Sequence, residues 1–203
     1  IGLCLVGSEM CIRDRYVSIA DKRIEWLTGF TGSAGTALVT ADAAMLWTDG
    51  RYFVQAAQQL GSTWTLMRSS EPGVPTLEEW VATEQRAGRL ASVGVDPALV
   101  SLSGAEEWDA KGCAPFSLVP QNLVDSIWGP KKPPRSSAAL RPHGLALAGE
   151  SVASKLARVG EAIVEGGASC LILNALDQIC WLFNLRGADI DCNPVFLAYA
   201  IVR

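Results

Sequence analysis

The spacing of apolar and polar residues first predicts a β-hairpin followed by a helix. Two apolar runs, at 36–40 and 43–48, are separated by two residues, which suits a tight turn. From 51 to 60 the apolar positions change to helical spacing, with Asp49 placed to cap the start of the helix and Gly61 its end.

Strand and helix patterns then alternate as far as residue 119. Two pairs with capping-box spacing open predicted helices, the first of which ends near Ala87: Thr76 with Glu79, and Ser103 with Glu106. Predicted strands lie at 63–67, 92–95 and 116–119. This alternation indicates an α/β fold with a largely parallel or mixed sheet.

A segment rich in proline and charge, at 129–137, divides the chain because it can neither continue a helix nor join a sheet. We predict a first domain at 16–126, a linker at 127–136 and a second domain at 137–203. The second domain is expected to be truncated, because the chain stops within an apolar strand.

The second domain shows its own strand and helix patterns. They predict a helix at 152–163, a buried strand at 169–173, a helix capped by Asn174 that reaches Gly187, and an apolar strand at 194–202.

Residues 1–15 are interpreted as a non-native addition. The stretch Val6–Arg13 (VGSEMCIR) resembles translated sequencing-adaptor sequence, and the short apolar head has neither the n-region nor the h-region of a signal peptide. The alternative is a native strand that carries Cys4 and Cys11.

Composition excludes several classes of protein. The net charge is −4 and the 17 basic residues are scattered, so no cationic face is available for nucleic acid. No apolar run approaches the roughly 20 residues that cross a bilayer. The six cysteines form no C-x-x-C pair and no secretory signal is present, so we expect buried, reduced thiols and a cytoplasmic location.

The glycine-rich segment 29–36 (GFTGSAGT) is interpreted as a structural turn. It leads into a strand, whereas a phosphate cradle needs a helix N-terminus. A nucleophile elbow around Ser33 would need G-x-S-x-G, and the one histidine, His143, lies close to the linker and far from Ser33 in the sequence. We predict instead that the glycines bring backbone close to a neighbouring element.

Metal ligands are not arranged at recognisable spacing. The chain contains no H-x-x-x-H, and Asp189 and Asp191 are interpreted as a polar loop. We expect no complete metal site, and no catalytic residue, within these 203 residues.

Arg51, in the segment WTDGRYF, is the one candidate for substrate binding. An arginine in the first turn of a helix opposes the helix dipole, so helix propensity does not explain its presence. A surface salt bridge with Asp49 is one interpretation, and a carboxylate-binding role is the other.

Six motifs then carry a family resemblance, in the order KRIEWLTGFTGSAGT (22–36), MLWTDGRYFVQAA (45–57), GVDP (94–97), NLVDSIW (122–128), ALDQICWLFNLRG (175–187) and NPVF (193–196). Together they resemble the Xaa-Pro aminopeptidases (aminopeptidase P) of the three-domain, creatinase/prolidase group. The resemblance covers about residue 16 to residue 203.

The resemblance implies two similarly folded α/β domains followed by a C-terminal pita-bread domain, absent here, that holds two manganese ions. Those ions would activate a bridging water that cuts the residue before proline. The resemblance also implies that Arg51 binds Xaa-Pro peptides, that the full-length enzyme is a homodimer, and that this fragment alone is inactive. The family has a strand before Tyr16, so we expect the first sheet to lack its proper first strand.

Two other readings stay open. The chain could be a non-catalytic short form that acts as an interaction module through the first domain, or part of a related prolidase or creatinase.

Overall fold

The computed structural model describes residues 5–8, 17–113 and 115–203, and the side chains of all of these except 5–8. The described residues form two compact units, the first made of 5–8 and 21–132 and the second of 17–20 and 133–203. The domain boundaries drawn from the sequence stay a prediction.

The first unit is a sheet with helices on both faces. Its strands are β1 (Leu5–Ser8), β2 (Thr36–Val39), β3 (Ala44–Thr48), β4 (Trp64–Arg68), β5 (Gly94–Val95) and β6 (Ser117–Leu118). Its helices are α1 (Arg23–Thr28), α2 (Phe53–Gln59), α3 (Leu77–Arg86), α4 (Leu102–Ala110) and α5 (Leu123–Trp128), with a 3₁₀ turn at Gly129–Lys131. The predicted α/β class is confirmed.

The sheet is mixed, with strand order β4-β3-β2-β1-β5-β6. β2 pairs antiparallel with β3, as the hairpin pattern predicts, and β1 pairs antiparallel with β2. The β3/β4, β1/β5 and β5/β6 pairs are parallel.

The expectation that this sheet lacks its first strand is wrong. Leu5–Ser8 lies between β2 and β5 and hydrogen-bonds to both, so it joins the antiparallel and parallel halves of the sheet. The physical reason is that β2 and β5 each present an open edge that only a strand between them satisfies. Residues 1–4 and 9–16 lie outside the described residues, and the interpretation of the whole of 1–15 as a non-native addition stays a prediction.

Alternation along β2 and β3 divides the core between the two faces of the sheet. Leu38, Met45 and Trp47 pack on one face with the buried residues of α3 and α4. Ala37 and Leu46 pack on the other face with Ile24, Phe30 and Ala56, from α1, the segment after it and α2.

Two predicted helix starts in the first unit are corrected by the structure. α2 begins at Phe53 with Tyr52 as N-cap, because Asp49 accepts from the backbone N–H of Arg51 within a turn before the helix. α4 begins at Leu102, because the hydroxyl of Ser101, and not of Ser103, accepts from the N–H of Gly104. The capping box of α3 at Thr76 and Glu79 is confirmed.

A two-pronged ion pair joins the first helix of this unit to its last. The Nε and Nη2 atoms of Arg23 in α1 donate to the two carboxylate oxygens of Asp125 in α5, at 2.8 and 2.9 Å. Lys132 Nζ donates to Asp125 Oδ2 at 2.6 Å, and the rings of Trp26 and Trp128 stack with centroids 5.1 Å apart. Burial alone would raise the pKa of Asp125, but the hydrogen bonds from Arg23 and Lys132 outweigh it and hold that pKa below its ordinary value.

The second unit contains shorter elements. Its strands are β7 (Arg141–Pro142), β8 (Leu171–Leu173), β9 (Leu185–Arg186) and β10 (Ala200–Val202). Its helices are α6 (Leu145–Ala148), α7 (Val152–Glu165) and α8 (Leu176–Leu182). A 3₁₀ turn spans Ile19–Asp21, where the chain passes from one unit to the other. β8 pairs antiparallel with β10, and β7 with β9.

Two predictions for the second unit need correction. The predicted buried strand at 169–173 is a strand only at Leu171–Leu173, and none of its residues is fully buried. Leu173 and Ala200 face the cluster around α8, while Ile172 and Ile201 point to the uncovered face of a two-stranded sheet. The helix predicted to be capped by Asn174 and to reach Gly187 also differs. α8 has Ala175 as its N-cap, with no side-chain cap, and it ends at Leu182.

The cysteine prediction is half confirmed. The four cysteines in the described part are free, and Cys113 and Cys180 are buried while Cys170 and Cys192 are exposed. Burial raises the pKa of both buried thiols.

Lys155 in α7 is almost fully buried without a carboxylate partner among the recorded contacts of the described residues. Its ammonium group donates to the carbonyl oxygen of Trp181 at 2.8 Å and to Oδ1 of Asn184 at 2.7 Å, and lies 4.4 Å from the centroid of the Trp181 ring. Lys155 therefore supplies hydrogen-bond donors to the C-terminal end of α8, just after which the chain turns at Asn184 with a positive φ of 48°.

Replacing Asp125 with asparagine should loosen the α1–α5 junction. The change removes a charged acceptor from two cations, and we expect a loss of about 1–3 kcal/mol and faster amide exchange in both helices by hydrogen-exchange mass spectrometry. Because the folded pKa of Asp125 lies below 3.8, this stabilisation is complete above pH 3.8 and lost as the pH falls through the folded value. The matched control is Glu84→Gln, at an exposed ion pair, and equal protection in the two variants would contradict the role of Asp125.

Replacing Lys155 with methionine should expose the C-terminal end of α8. The acceptors at Trp181 and Asn184 lose their donor, and we expect about 1–3 kcal/mol less protection of the α8 amides in hydrogen exchange. Arg158→Met, on the exposed face of α7, is the control and should protect the α8 amides as the parent chain does. Unchanged α8 protection in Lys155→Met would refute this account.

Candidate functional site

The turn after α1 is shaped by one buried aromatic ring. Gly29 ends α1 in the left-handed region at φ 79°, and Phe30 then turns inward and is 1% exposed. A Cβ atom on Gly32 would overlap the Phe30 ring, and one on Gly35 would come within 3.2 Å of it. The glycines therefore allow close approach of the backbone to Phe30, as the sequence predicts.

The same turn is fastened to β3 and α2 by side-chain hydrogen bonds. The hydroxyls of Ser33 and Tyr52 lie 2.6 Å apart, and the hydroxyl of Thr48 donates to the carbonyl of Ala34 at 2.6 Å. The hydroxyl of Thr31 accepts from the side-chain amide of Gln59 at 2.9 Å. The turn and the β3–α2 connection thus form one hydrogen-bonded surface.

Arg51 lies in that connection and is paired along one edge of its guanidinium group. Its Nε donates to Asp49 Oδ1 at 2.9 Å and its Nη2 to Asp49 Oδ2 at 2.8 Å. The side chain of Arg51 is 69% exposed and that of Asp49 40%. The hydrogen bond from Arg51 holds the pKa of Asp49 below its ordinary value, and the pKa of Arg51 is raised in turn.

An aromatic ring lies beside the guanidinium group. The Arg51 Cζ atom is 5.2 Å from the centroid of the Tyr52 ring, which also meets Phe30 edge-on at 5.8 Å. A shallow cleft of about 290 Å³ adjoins Asp49; it is lined by Ser33, Ala34, Gly35, Thr36, Trp47, Thr48, Asp49 and Ser69.

The structure therefore realises the surface salt bridge that the sequence offers as one interpretation of Arg51. It does not rule against binding, because a guanidinium group has five N–H donors and Asp49 takes two of them. The predicted hairpin brings the residues before β2 near those after β3, but the sequence pattern does not specify that the hydroxyls of Ser33 and Tyr52 meet.

Two other candidate residues, Ser33 for nucleophilic catalysis and Asp189 for metal binding, make hydrogen bonds within the fold. The hydroxyl of Ser33 hydrogen-bonds to that of Tyr52, and the carboxylate of Asp189 accepts from the backbone N–H of Leu197 at 2.9 Å. Within 17–113 and 115–203, no group of three or more His, Cys, Asp or Glu side chains is placed to hold a metal ion. No helix in the same residues is long and apolar enough to cross a membrane.

Comparison with known proteins identifies the family. Two family models, each described as a Creatinase/Prolidase N-terminal domain, match the chain, one at residues 13–125 and the other at residues 131–203. The chain belongs to the creatinase/prolidase N-terminal domain family, which confirms the resemblance drawn from the motifs.

Curated relatives of the chain are aminopeptidases. It is 44% identical to Aminopeptidase P2 of Arabidopsis thaliana over 98% of its length, and 42% identical to a probable Xaa-Pro aminopeptidase P of Neurospora crassa over its whole length. These alignments cover 28% and 30% of the two relatives, so the chain spans about a third of the length of the proteins it matches.

A solved structure shares the fold over nearly the whole chain. It is an X-prolyl aminopeptidase from Caenorhabditis elegans, described as a cytosolic enzyme with a di-nuclear active site. The match has a TM-score of 0.85 at 30% identity and covers 98% of this chain and 33% of the other.

Replacing Gly32 with alanine should disturb the turn that carries Ser33. The added methyl group overlaps the buried Phe30 ring. We therefore expect the free energy of unfolding of the first unit, measured in urea, to fall by about 1–3 kcal/mol. The control is Gly61→Ala, where a Cβ meets nothing within 4 Å, and it should be neutral or stabilising. If both variants unfold like the parent, Phe30 does not constrain the turn.

Proposed function

We propose that this chain is the N-terminal part of a metal-dependent aminopeptidase that removes the N-terminal residue from peptides with proline in the second position. The observation that carries the proposal is the alignment with Xaa-Pro aminopeptidases over 98–100% of the chain at 42–44% identity. The C. elegans structure, with its di-nuclear active site, supports a metal-dependent reaction.

In this proposal the chain supplies geometry and not the metal site. Two metal ions, which we propose to be manganese, are held by residues outside these 203, where they activate water for attack on the bond before proline. The proposed ranges of the scaffold domains are 16–126 and 137–203, with 127–136 as linker. The full-length enzyme is proposed to be a cytoplasmic homodimer that acts on peptides, with no nucleic-acid or membrane partner.

Arg51 is the proposed substrate-binding residue of this part. Its guanidinium group is exposed and keeps three N–H donors beyond the two that pair with Asp49, a geometry suited to a peptide carboxylate or carbonyl. The cleft of about 290 Å³ that Asp49 lines is the proposed place of the peptide chain in this part.

The test is made in the complete enzyme, of which this chain is the N-terminal part, with manganese and a bradykinin-like Xaa-Pro peptide. We expect release of the N-terminal residue, and a fall of about 10- to 100-fold in kcat/KM for Arg51→Ala, because a charged hydrogen bond to the substrate is lost. Arg89→Ala is the matched control, since Arg89 is also exposed and paired two-pronged with a carboxylate, on Glu84.

Absence of Xaa-Pro cleavage by the complete enzyme would refute the proposed reaction. Cleavage with equal kcat/KM in Arg51→Ala and Arg89→Ala would leave the reaction standing and remove Arg51 from the substrate-binding residues.

A further inference from the structure

Asp49 contacts Arg51 through three N–H groups. Its Oδ1 accepts from the backbone N–H of Arg51 at 3.0 Å and from Nε at 2.9 Å, and its Oδ2 accepts from Nη2 at 2.8 Å. Both the backbone and the head group of Arg51 are thus tied to one carboxylate. The side chain between them is left with little freedom to rotate, although it is mostly exposed.

The edge of the guanidinium group that pairs with Asp49 determines which N–H donors of Arg51 stay free. With Nε and one hydrogen of Nη2 on Asp49, the remaining donors are both hydrogens of Nη1 and the second hydrogen of Nη2. No hydrogen bond recorded among the described side chains uses Nη1 of Arg51. The end of the group that can grip a carboxylate with two parallel N–H donors is therefore unoccupied.

The Tyr52 ring gives this arrangement a second support. It stands 5.2 Å from the Arg51 Cζ atom, and its own orientation is set by the 2.6 Å hydrogen bond to Ser33 and by edge contact with the buried Phe30. The Tyr52 ring beside the guanidinium group is therefore held in place by contacts that reach the core of the unit.

We propose that Asp49 is a positioning residue that holds Arg51 with its Nη1–Nη2 end directed at the substrate. This inference rests on the proposed substrate-binding role of Arg51. The substrate group it serves is a carboxylate or carbonyl of the peptide. Asp49 acts through Arg51, which already occupies three of the about four lone-pair sites of its carboxylate.

A purely stabilising role does not account for the pair. Exposed ion pairs contribute little to stability, and the Glu84–Arg89 pair has the same two-pronged geometry at 2.7 and 2.8 Å on another surface. The Asp49–Arg51 pair differs in its place, because Asp49 lines the cleft of about 290 Å³ beside the glycine-rich turn.

The experiment is a double-mutant cycle in the complete enzyme with Asp49→Asn, Arg51→Ala and the two combined, assayed on an Xaa-Pro peptide. Asparagine keeps an acceptor for the backbone N–H of Arg51 but loses the charge and the second acceptor for the guanidinium group. We expect Asp49→Asn to raise KM roughly 10-fold with kcat within about twofold, and to have no further effect once Arg51 is alanine. Glu84→Gln is the control and should match the parent.

Asp49→Ser is a second variant, since serine also accepts from the N–H two residues on, and it should give the same result if asparagine impairs folding. Circular dichroism melting of each variant checks the fold. Should Arg51→Ala be without effect, the binding role of Arg51 and this inference fall together. Should Arg51→Ala impair binding while Asp49→Asn does not, only the positioning role is overturned. An equal loss from Asp49→Asn in both Arg51 backgrounds also overturns it, because Asp49 then acts independently.

Discussion

The packing of Phe30 against glycine is the constraint on which the candidate site depends. The ring occupies the space that a Cβ on Gly32 would need, so glycine at this position lets the backbone of the turn approach the ring closely. From there Ser33 reaches Tyr52, and Thr48 reaches the carbonyl of Ala34. A bulkier residue in the turn would separate these partners, and the connection that carries Arg51 would lose its support.

Pairing and binding by Arg51 are compatible for a geometric reason. A planar guanidinium group presents more than one edge, so a carboxylate can hold one edge while another remains available. Lysine has no second edge that offers two parallel N–H donors to a carboxylate, because its three donors share a single nitrogen atom. The side chain can thus be both held by Asp49 and exposed to a peptide.

The sequence predicted the elements well and their ends less well. The hairpin of β2 and β3, the capping box at Thr76 and the long helix of the second unit are all present. The errors concern local competition, since Ser101 caps α4 where Ser103 has the same chemistry two residues later, and Asp49 caps a turn and not the helix. Arg51 was recognised as the candidate through the family motif, whereas its partners Asp49 and Tyr52 take their present roles from geometry.

The sequence by itself determined the α/β class, the succession of strands and helices and the family, because periodicity, capping and motifs act over a few neighbouring residues. Only the tertiary structure decided that Arg23 meets Asp125 across 102 positions, that Ser33 meets Tyr52, and that Leu5–Ser8 lies between β2 and β5. The reason is that such contacts depend on how helices pack over the sheet, which side chains meet beside a hairpin and the order in which strands pair. These arrangements follow from the packing of the whole unit, and local spacing along the chain does not encode them.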